Sequence, residues 1–293
     1  MSAAKPGAAP VQRVSGFLGF PPIAWLILFF LIPLLIVALY SFAQRGTYGG
    51  VELSFSAENY HRVLDWIYFR VFWQSIKLAI ATSVSCLLIG YPMAYVMATA
   101  SRRWRTILLI LVVIPFWTNF VVRTYAIKAA FSETGPVNQW MMHLGWMKEP
   151  FAFSGTYFAI WLGMVTNYLP FMVLPLYVVL EKFDFSLIEA AKDLGASRWQ
   201  QLTQILIPLT KSGIITGLVF VFAPALGEFV IPDLLGGART MLVGNLMTEQ
   251  FLKTRDWPFG SALSMLLICA AVLSVLILKS VSARKALGQE TQA

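Results

Sequence analysis

Glu189 to Leu209 reads EAAKDLGASRWQQLTQILIPL, a charged island in a chain that is otherwise mostly apolar. Its spacing predicts two short helices. Ser186 stands three residues before Glu189, and Ser197 three before Gln200. Each pair has the S-x-x-E/Q spacing of a capping box, in which two side chains satisfy free amides at a helix start. Gly195 falls between the helices, where a residue free to adopt the left-handed conformation closes the first one at little cost. Leu187, Ala191 and Leu194 share one face of the first helix; Trp199, Leu202, Ile205 and Leu209 share one face of the second. Pro208 marks the start of the next apolar segment. The stretch therefore predicts a helix–turn–helix lying flat on a membrane surface with its charges exposed.

The rest of the chain supplies the membrane. Of 293 residues, 58% are hydrophobic and 12% charged, against about 25% charged in soluble domains. An all-α, polytopic membrane protein is expected, and this length holds about six or seven spans of roughly 20 residues. The net charge of +8 fits basic cytoplasmic loops better than a nucleic-acid surface. Cys86 and Cys269 lie in apolar runs and read as buried small hydrophobes, neither a disulfide nor a metal pair. The histidines are His61 and His143 alone, so no metal site is expected.

Residues 1–16 are small, polar and basic and are expected to form a disordered cytoplasmic tail. The apolar run 20–42 is longer than a signal-sequence core and lacks a small-x-small site, so it reads as the first span. The other five are expected at about 71–98, 106–128, 156–180, 213–234 and 259–279. The transmembrane domain thus covers 17–280, with the polar loop at about 186–209 and a second cytoplasmic tail at 281–293. A short helix is expected from Ser56. Basic residues gather on one side: Lys5 and Arg13; Arg102, Arg103 and Arg105 in a tight turn; Lys182, Lys192, Arg198 and Lys211; Lys279, Arg284 and Lys285. The opposite loops (Arg45, Arg62, Arg239, Lys253, Arg255) mix bases with acids. The positive-inside rule then places both termini and the Glu189–Leu209 loop in the cytoplasm.

An acid within a span is costly and marks a functional candidate. Glu228 is such an acid, in the fifth span among Pro224, Gly227 and Pro232, which break or kink a helix where backbone lines a cavity. Asp233 lies near the outer end of that span. A cationic solute could use both carboxylates; the alternative is a Glu228 paired within the bundle for structure alone. Asn167 and Tyr168 before Pro170, and Trp117 and Asn119 after Pro115, could face the same cavity, where aromatic faces bind organic cations. Most tryptophans and tyrosines in such a chain are interfacial anchors. No G-x-x-x-x-G-K-[ST] phosphate loop occurs, so ATP hydrolysis by this chain is not expected. No nucleophile–base or metal constellation suggests an enzyme. An ion-coupled secondary transporter using Glu228 would carry inverted repeats, and no clear repeat is visible.

The Glu189–Leu209 stretch resembles the EAA loop of ABC-transporter permease subunits: Glu-Ala-Ala, three residues, Gly, nine residues, Ile-x-Leu-Pro. Glu189, Ala190, Ala191, Gly195, Ile205 and Pro208 fit, with Ile207 replacing leucine. Four further segments are PFWTNFVVRTYA (Pro115 to Ala126), LPFMVLPLY (Leu169 to Tyr177), GEFVIPDLLGG (Gly227 to Gly237) and RDWPFGSALS (Arg255 to Ser264). They resemble permeases of the spermidine/putrescine (polyamine) importer family, the B/H-type subunit rather than its C/I-type companion. The resemblance implies six transmembrane helices in the type I ABC importer permease fold, in a bacterial inner (cytoplasmic) membrane. It implies as partners two ABC ATPase subunits that bind ATP and Mg, a second homologous permease subunit, and a soluble periplasmic or extracellular substrate-binding protein. This chain itself would hold no cofactor. Glu189, Ala190, Ala191, Asp193 and Gly195 would form the ATPase-coupling surface. The implied cargo is putrescine or spermidine, with opines or other amines as alternatives.

Overall fold

Lipid offers no hydrogen bonds to a backbone, so apolar runs of this length become helices, which satisfy their own amides. The computed structural model describes residues 16–46, 50–237 and 240–290. The expected amino-terminal tail, apart from Gly16, lies outside these residues, as do Arg239 and residues 291–293. Helix α1 (Gly16–Leu26) runs through a π-helical turn into α2 (Ile32–Ser41). A short antiparallel ribbon, β1 (Gln44–Arg45) with β2 (Val51–Glu52), and α3 (Glu58–Val63) lead to α4 (Trp66–Thr99). Then come α5 (Arg102–Trp117), α6 (Phe120–Ala130), α7 (Pro136–His143) and α8 (Tyr157–Glu181). The polar loop folds as α9 (Ser186–Asp193), α10 (Arg198–Gln200), a π-helical turn and α11 (Ile207–Leu209). The chain closes with α12 (Lys211–Leu226), a π-helical turn Pro232–Gly236, α13 (Val243–Thr248) and α14 (Trp257–Glu290).

Four helices are long and apolar enough to cross a bilayer: Pro21–Ser41, α4, α8 and Trp257–Ile277. Two bent pairs bring the number up to six when each is taken as one span. These are α5–α6, bent by 95°, and Arg198–Leu209 with α12, bent by 70°. The third span is thus not the single helix expected at 106–128. Its helix starts at once after Ser101, whose backbone is extended, so Arg102, Arg103 and Arg105 form the first helical turn rather than a loop. The fifth span also ends early, at Leu226: the chain leaves the helix at Gly227 and re-forms one only after Phe229.

The core is the trio α4, α8 and α12. Met172 of α8 is fully buried at its centre, seated between Gly90 of α4 and Gly217 of α12. A Cβ on Gly217 would lie 2.5 Å from the Met172 sulfur, and one on Gly90 3.0 Å from its Cγ. Small residues let membrane helices approach this closely, and van der Waals packing then holds them. Cys86 is buried in this core, but Cys269 on α14 is exposed, contrary to expectation. Helix α14 packs chiefly on α2 and α12, and its first turns also meet α3 and α13.

Polar clamps fix both ends of the bundle. At the Tyr157 end, Arg62 pairs with Asp256 at 3.0 Å and covers the Phe259 ring at 4.1 Å. The second oxygen of Asp256 accepts the Phe259 amide and caps α14. Asn59 donates to the Ser41 and Ala43 carbonyls at the end of α2. At the other end Arg105 reaches Glu181 at 3.2 Å and the Ala98 carbonyl at 3.0 Å.

Candidate functional site

The loop closes as its glycine predicts. Gly195 has φ +83°, the Ala196 amide donates to the Ala191 carbonyl, and the Gly195 amide donates to Lys192, all within 2.9 Å. That pair of bonds satisfies the last carbonyls of α9. The second capping box also forms: Ser197 Oγ accepts the Gln200 amide, and Gln200 Oε1 accepts the Ser197 amide. The first does not. Phe185 is already near-helical, so Ser186 lies within the helix, and its amide donates to Asp184 Oδ1 at 3.0 Å instead. Hydrogen bonds from the Ser186 hydroxyl and backbone hold the Asp184 carboxyl below its ordinary pKa.

The apolar faces of the loop are also rotated from the expected ones. Phe185, Ile188 and Leu202 pack on the core, with the Phe185 ring 6.0 Å from that of Tyr95. Leu187, Leu194 and Trp199 are exposed, Leu194 at 88%. Glu189, Ala190 and Asp193 lie on the same open side, Ala191 is half-buried, and nothing stands within 4 Å of where a Gly195 Cβ would project. The loop joins the bundle at Thr210, which is buried. Its hydroxyl donates to the Leu206 carbonyl and lies 2.9 Å from the Tyr91 hydroxyl of α4.

Inside the bundle, a cavity of about 280 Å³ lies between two interrupted helices. At the first interruption, α5 ends and α6 begins. Arg123 turns back from α6 and donates to the Pro115 carbonyl, to Thr118 Oγ1 at 2.9 Å and to Asn167 Oδ1 at 3.0 Å. A cation placed on the last carbonyls of a helix is favoured by the helix dipole. At the second interruption, Glu228 Oε1 accepts the amides of Phe229, Val230 and Ile231 at 2.9–3.3 Å. These are free amides at the start of a new helical turn, a natural place for an anion. Glu228 Oε2 accepts the Tyr168 hydroxyl. Gly244 of α13 abuts the break, where a Cβ would lie 2.6 Å from the Gly227 and Glu228 carbonyls.

Adjacent residues of α8 therefore tie down both breaks: Asn167 holds Arg123, and Tyr168 holds Glu228. Glu228 takes no part in the ion pairs Arg62–Asp256 and Arg105–Glu181, and the cation that shares its cavity, Arg123, is turned to Pro115, Thr118 and Asn167. Phe116, Phe120 and Phe171 supply aromatic walls. A carboxylate beside ring faces can hold a cation with an apolar stem.

Of the six pathway candidates, the structure brings Glu228, Asn167 and Tyr168 together on this cavity. Glu228 sits in the break itself rather than within a helix. Asp233, Trp117 and Asn119 are not among its lining residues. Asp233 is exposed and accepts from Asn245, Trp117 is 85% exposed, and Asn119 caps α6 by accepting the Val121 amide. Sequence reasoning missed Arg123 and the phenylalanines. A cation inside an apolar stretch is as costly as an acid, so the rule that singled out Glu228 also singles out Arg123.

The sequence profile of a family described as "binding-protein-dependent transport system inner membrane component" matches residues 55–290. The chain is 42% identical over 255 residues to the spermidine/putrescine transport system permease protein PotB of Escherichia coli K12, covering 87% of this chain and 93% of that one. The Haemophilus influenzae protein of the same name is 40% identical, covering 92% and 93%. An inner membrane ABC transporter permease protein of E. coli, YdcU, is 26% identical over 98% of both chains. Among solved structures, a bacterial ABC transporter importing alginate superposes with a TM-score of 0.70 over 92% of this chain and 94% of that one, at 20% identity, a likeness of fold. The chain belongs to the binding-protein-dependent inner membrane component family, and is a multi-pass permease subunit of an ABC importer.

Proposed function

We propose that this permease carries linear polyamine cations, putrescine or spermidine, and that Glu228 receives an ammonium group during passage. The observation that carries this reading is the Glu228 carboxylate, pinned by backbone amides without an ion pair in a cavity walled by phenylalanines. An alternating chain of methylenes and ammonium groups fits that mixture of ring faces and one anion, with the Arg123 cation of the same cavity held aside on the end of α5 and on Asn167. The cargo named for the relatives that are 40–42% identical points the same way.

In this reading both termini and the α9–α11 loop face the cytoplasm. The open side of the loop (Glu189, Ala190, Asp193, Gly195) docks an ATPase subunit, which binds ATP and Mg and hydrolyses the nucleotide. A second, homologous permease covers the open flank of the cavity, and a periplasmic or extracellular binding protein delivers the solute. ATP-driven closure of the ATPase pair pushes on the loops and biases the permeases between two states.

Uptake of labelled putrescine and spermidine, measured separately in cells lacking the chain and in cells re-supplied with it, tests the proposal. Uptake should return with the intact chain and fail with Gly195→Arg, with ATPase subunits lost from the purified complex. Glu228→Gln should keep the ATPase but cut uptake by about tenfold or more, the scale of one lost charged contact. If neither polyamine's uptake depends on the chain, the cargo assignment fails.

A further inference from the structure

We propose that Phe116 and Phe171 form the gate between the Glu228 cavity and a second cavity leading to the loop end of the bundle. The two rings meet edge to face, with centroids 5.0 Å apart and planes at 82°. Both residues line the Glu228 cavity, and both line its neighbour of about 470 Å³. That neighbour reaches Val179 in the last turn of α8 and Ser212 in the first turn of α12. Those turns adjoin the polar loop. The rings, 42% and 39% exposed on this chain, form one wall of the junction between a chamber holding a carboxylate and a mostly apolar vestibule at the opposite end from Tyr157, and the companion permease supplies the other wall.

Two phenylalanine rings offer nothing to replace the hydration shell of an ammonium group, so a hydrated cation stops there until the rings part. Each ring is carried by a part of the protein that also builds the solute site. Phe116 lies in the last turn of α5, next to Pro115, whose carbonyl Arg123 holds. Phe171 follows Pro170 and lies one turn after Tyr168, the two ring centroids 6.2 Å apart. An ammonium group that docks on Glu228 Oε2 crowds the Tyr168 hydroxyl bonded to the same oxygen, and a Tyr168 ring pushed aside moves against Phe171. Cargo arrival and gate opening are thereby linked. The inference rests on the Glu228 cavity being the pathway, and not on which cation uses it.

The test uses the whole transporter, with its ATPase and companion permease, in spheroplasts. Cys86 and Cys269 are replaced by serine and a single reporter cysteine is placed at Thr216 in the second cavity. A membrane-impermeant maleimide is applied from outside, the Tyr157 side. With both phenylalanines present the reporter should label slowly. Phe116→Ala with Phe171→Ala should speed labelling by about tenfold, as a removed hydrophobic constriction admits water. The same double variant should lower accumulated cation per ATP hydrolysed. Phe171→Leu, which keeps an apolar side chain, covers the case of a double variant that does not assemble, and should label at an intermediate rate. Labelling unchanged in an assembled Phe116→Ala, Phe171→Ala or Phe171→Leu transporter overturns the gate. The labelling arm needs no solute, so it stands or falls separately from the polyamine assignment.

Discussion

Tyr168 and Glu228 join α8 to the break after α12, and in the proposed pathway the same pair meets the solute. A hydrogen bond to a charged acceptor contributes about 1.5–3 kcal/mol, and the Tyr168 hydroxyl donates to the oxygen that a cation in the cavity would approach. Tyr168→Phe should therefore lower thermal stability by about that amount while lowering the apparent KM for cation uptake, since the competing hydroxyl is gone. Uptake kinetics beside a thermal melt of the purified complex separate the two effects. Glu228 was legible in sequence because an acid in an apolar run is conspicuous. The choice between Trp117 and Phe116 was not. Successive residues of a helix point about 100° apart, and the facing of this turn is set by where the helix breaks. That break depends on Arg123 reaching back to Pro115 and Thr118 while Asn167 of α8 holds it, and this last contact is made across the fold.

At the scale of elements, the local chemistry was the readable part. Ser197 with Gln200, and Gly195 at φ +83°, act where their spacing placed them. Asp184 won over Ser186 as the partner of the first free amide because the helix starts earlier than the S-x-x-E spacing implies. Pro224, Gly227 and Pro232 announce the break in the fifth span, but hydropathy located the third span without showing that it is interrupted, since a broken helix and a straight one have the same composition. Close helix packing was likewise hidden, because a glycine that admits a methionine looks like any other glycine. Gly217→Ala should destabilise the α8–α12 contact by about 1–3 kcal/mol, the usual cost of overpacking. Pairing it with Met172→Ala should give less than the sum of the two single effects, because both changes act on one contact. Thermal unfolding of the four proteins in one detergent measures the difference.

At the scale of the molecule, the α1–α2 rod touches the rest of the bundle chiefly along α14, leaving Trp25, Phe29 and Phe30 exposed. Its far end is fixed by Asn59 and by the Arg62–Asp256 clamp. The Asp256 side chain is 3% exposed and that of Arg62 38%. Arg62→Ala should cost about 2 kcal/mol, less than the 3–5 of a fully buried pair because solvent already screens the arginine. A lowered melting temperature, partly restored when Asp256→Asn is added, would show that the stranded carboxylate is the cause.

Thr210 and Tyr91 carry a consequence for force. The loop meets the bundle through their hydroxyls, and Tyr91 is the neighbour of Gly90, on which Met172 is seated. A sideways push at the loop therefore arrives at a close-packed joint of the core, where there is little slack to absorb it. Met172 becomes a fulcrum, with the loop as the long arm. Phe171 is the adjacent residue on the same helix, so a push at the loop that tilts Met172 would turn that ring.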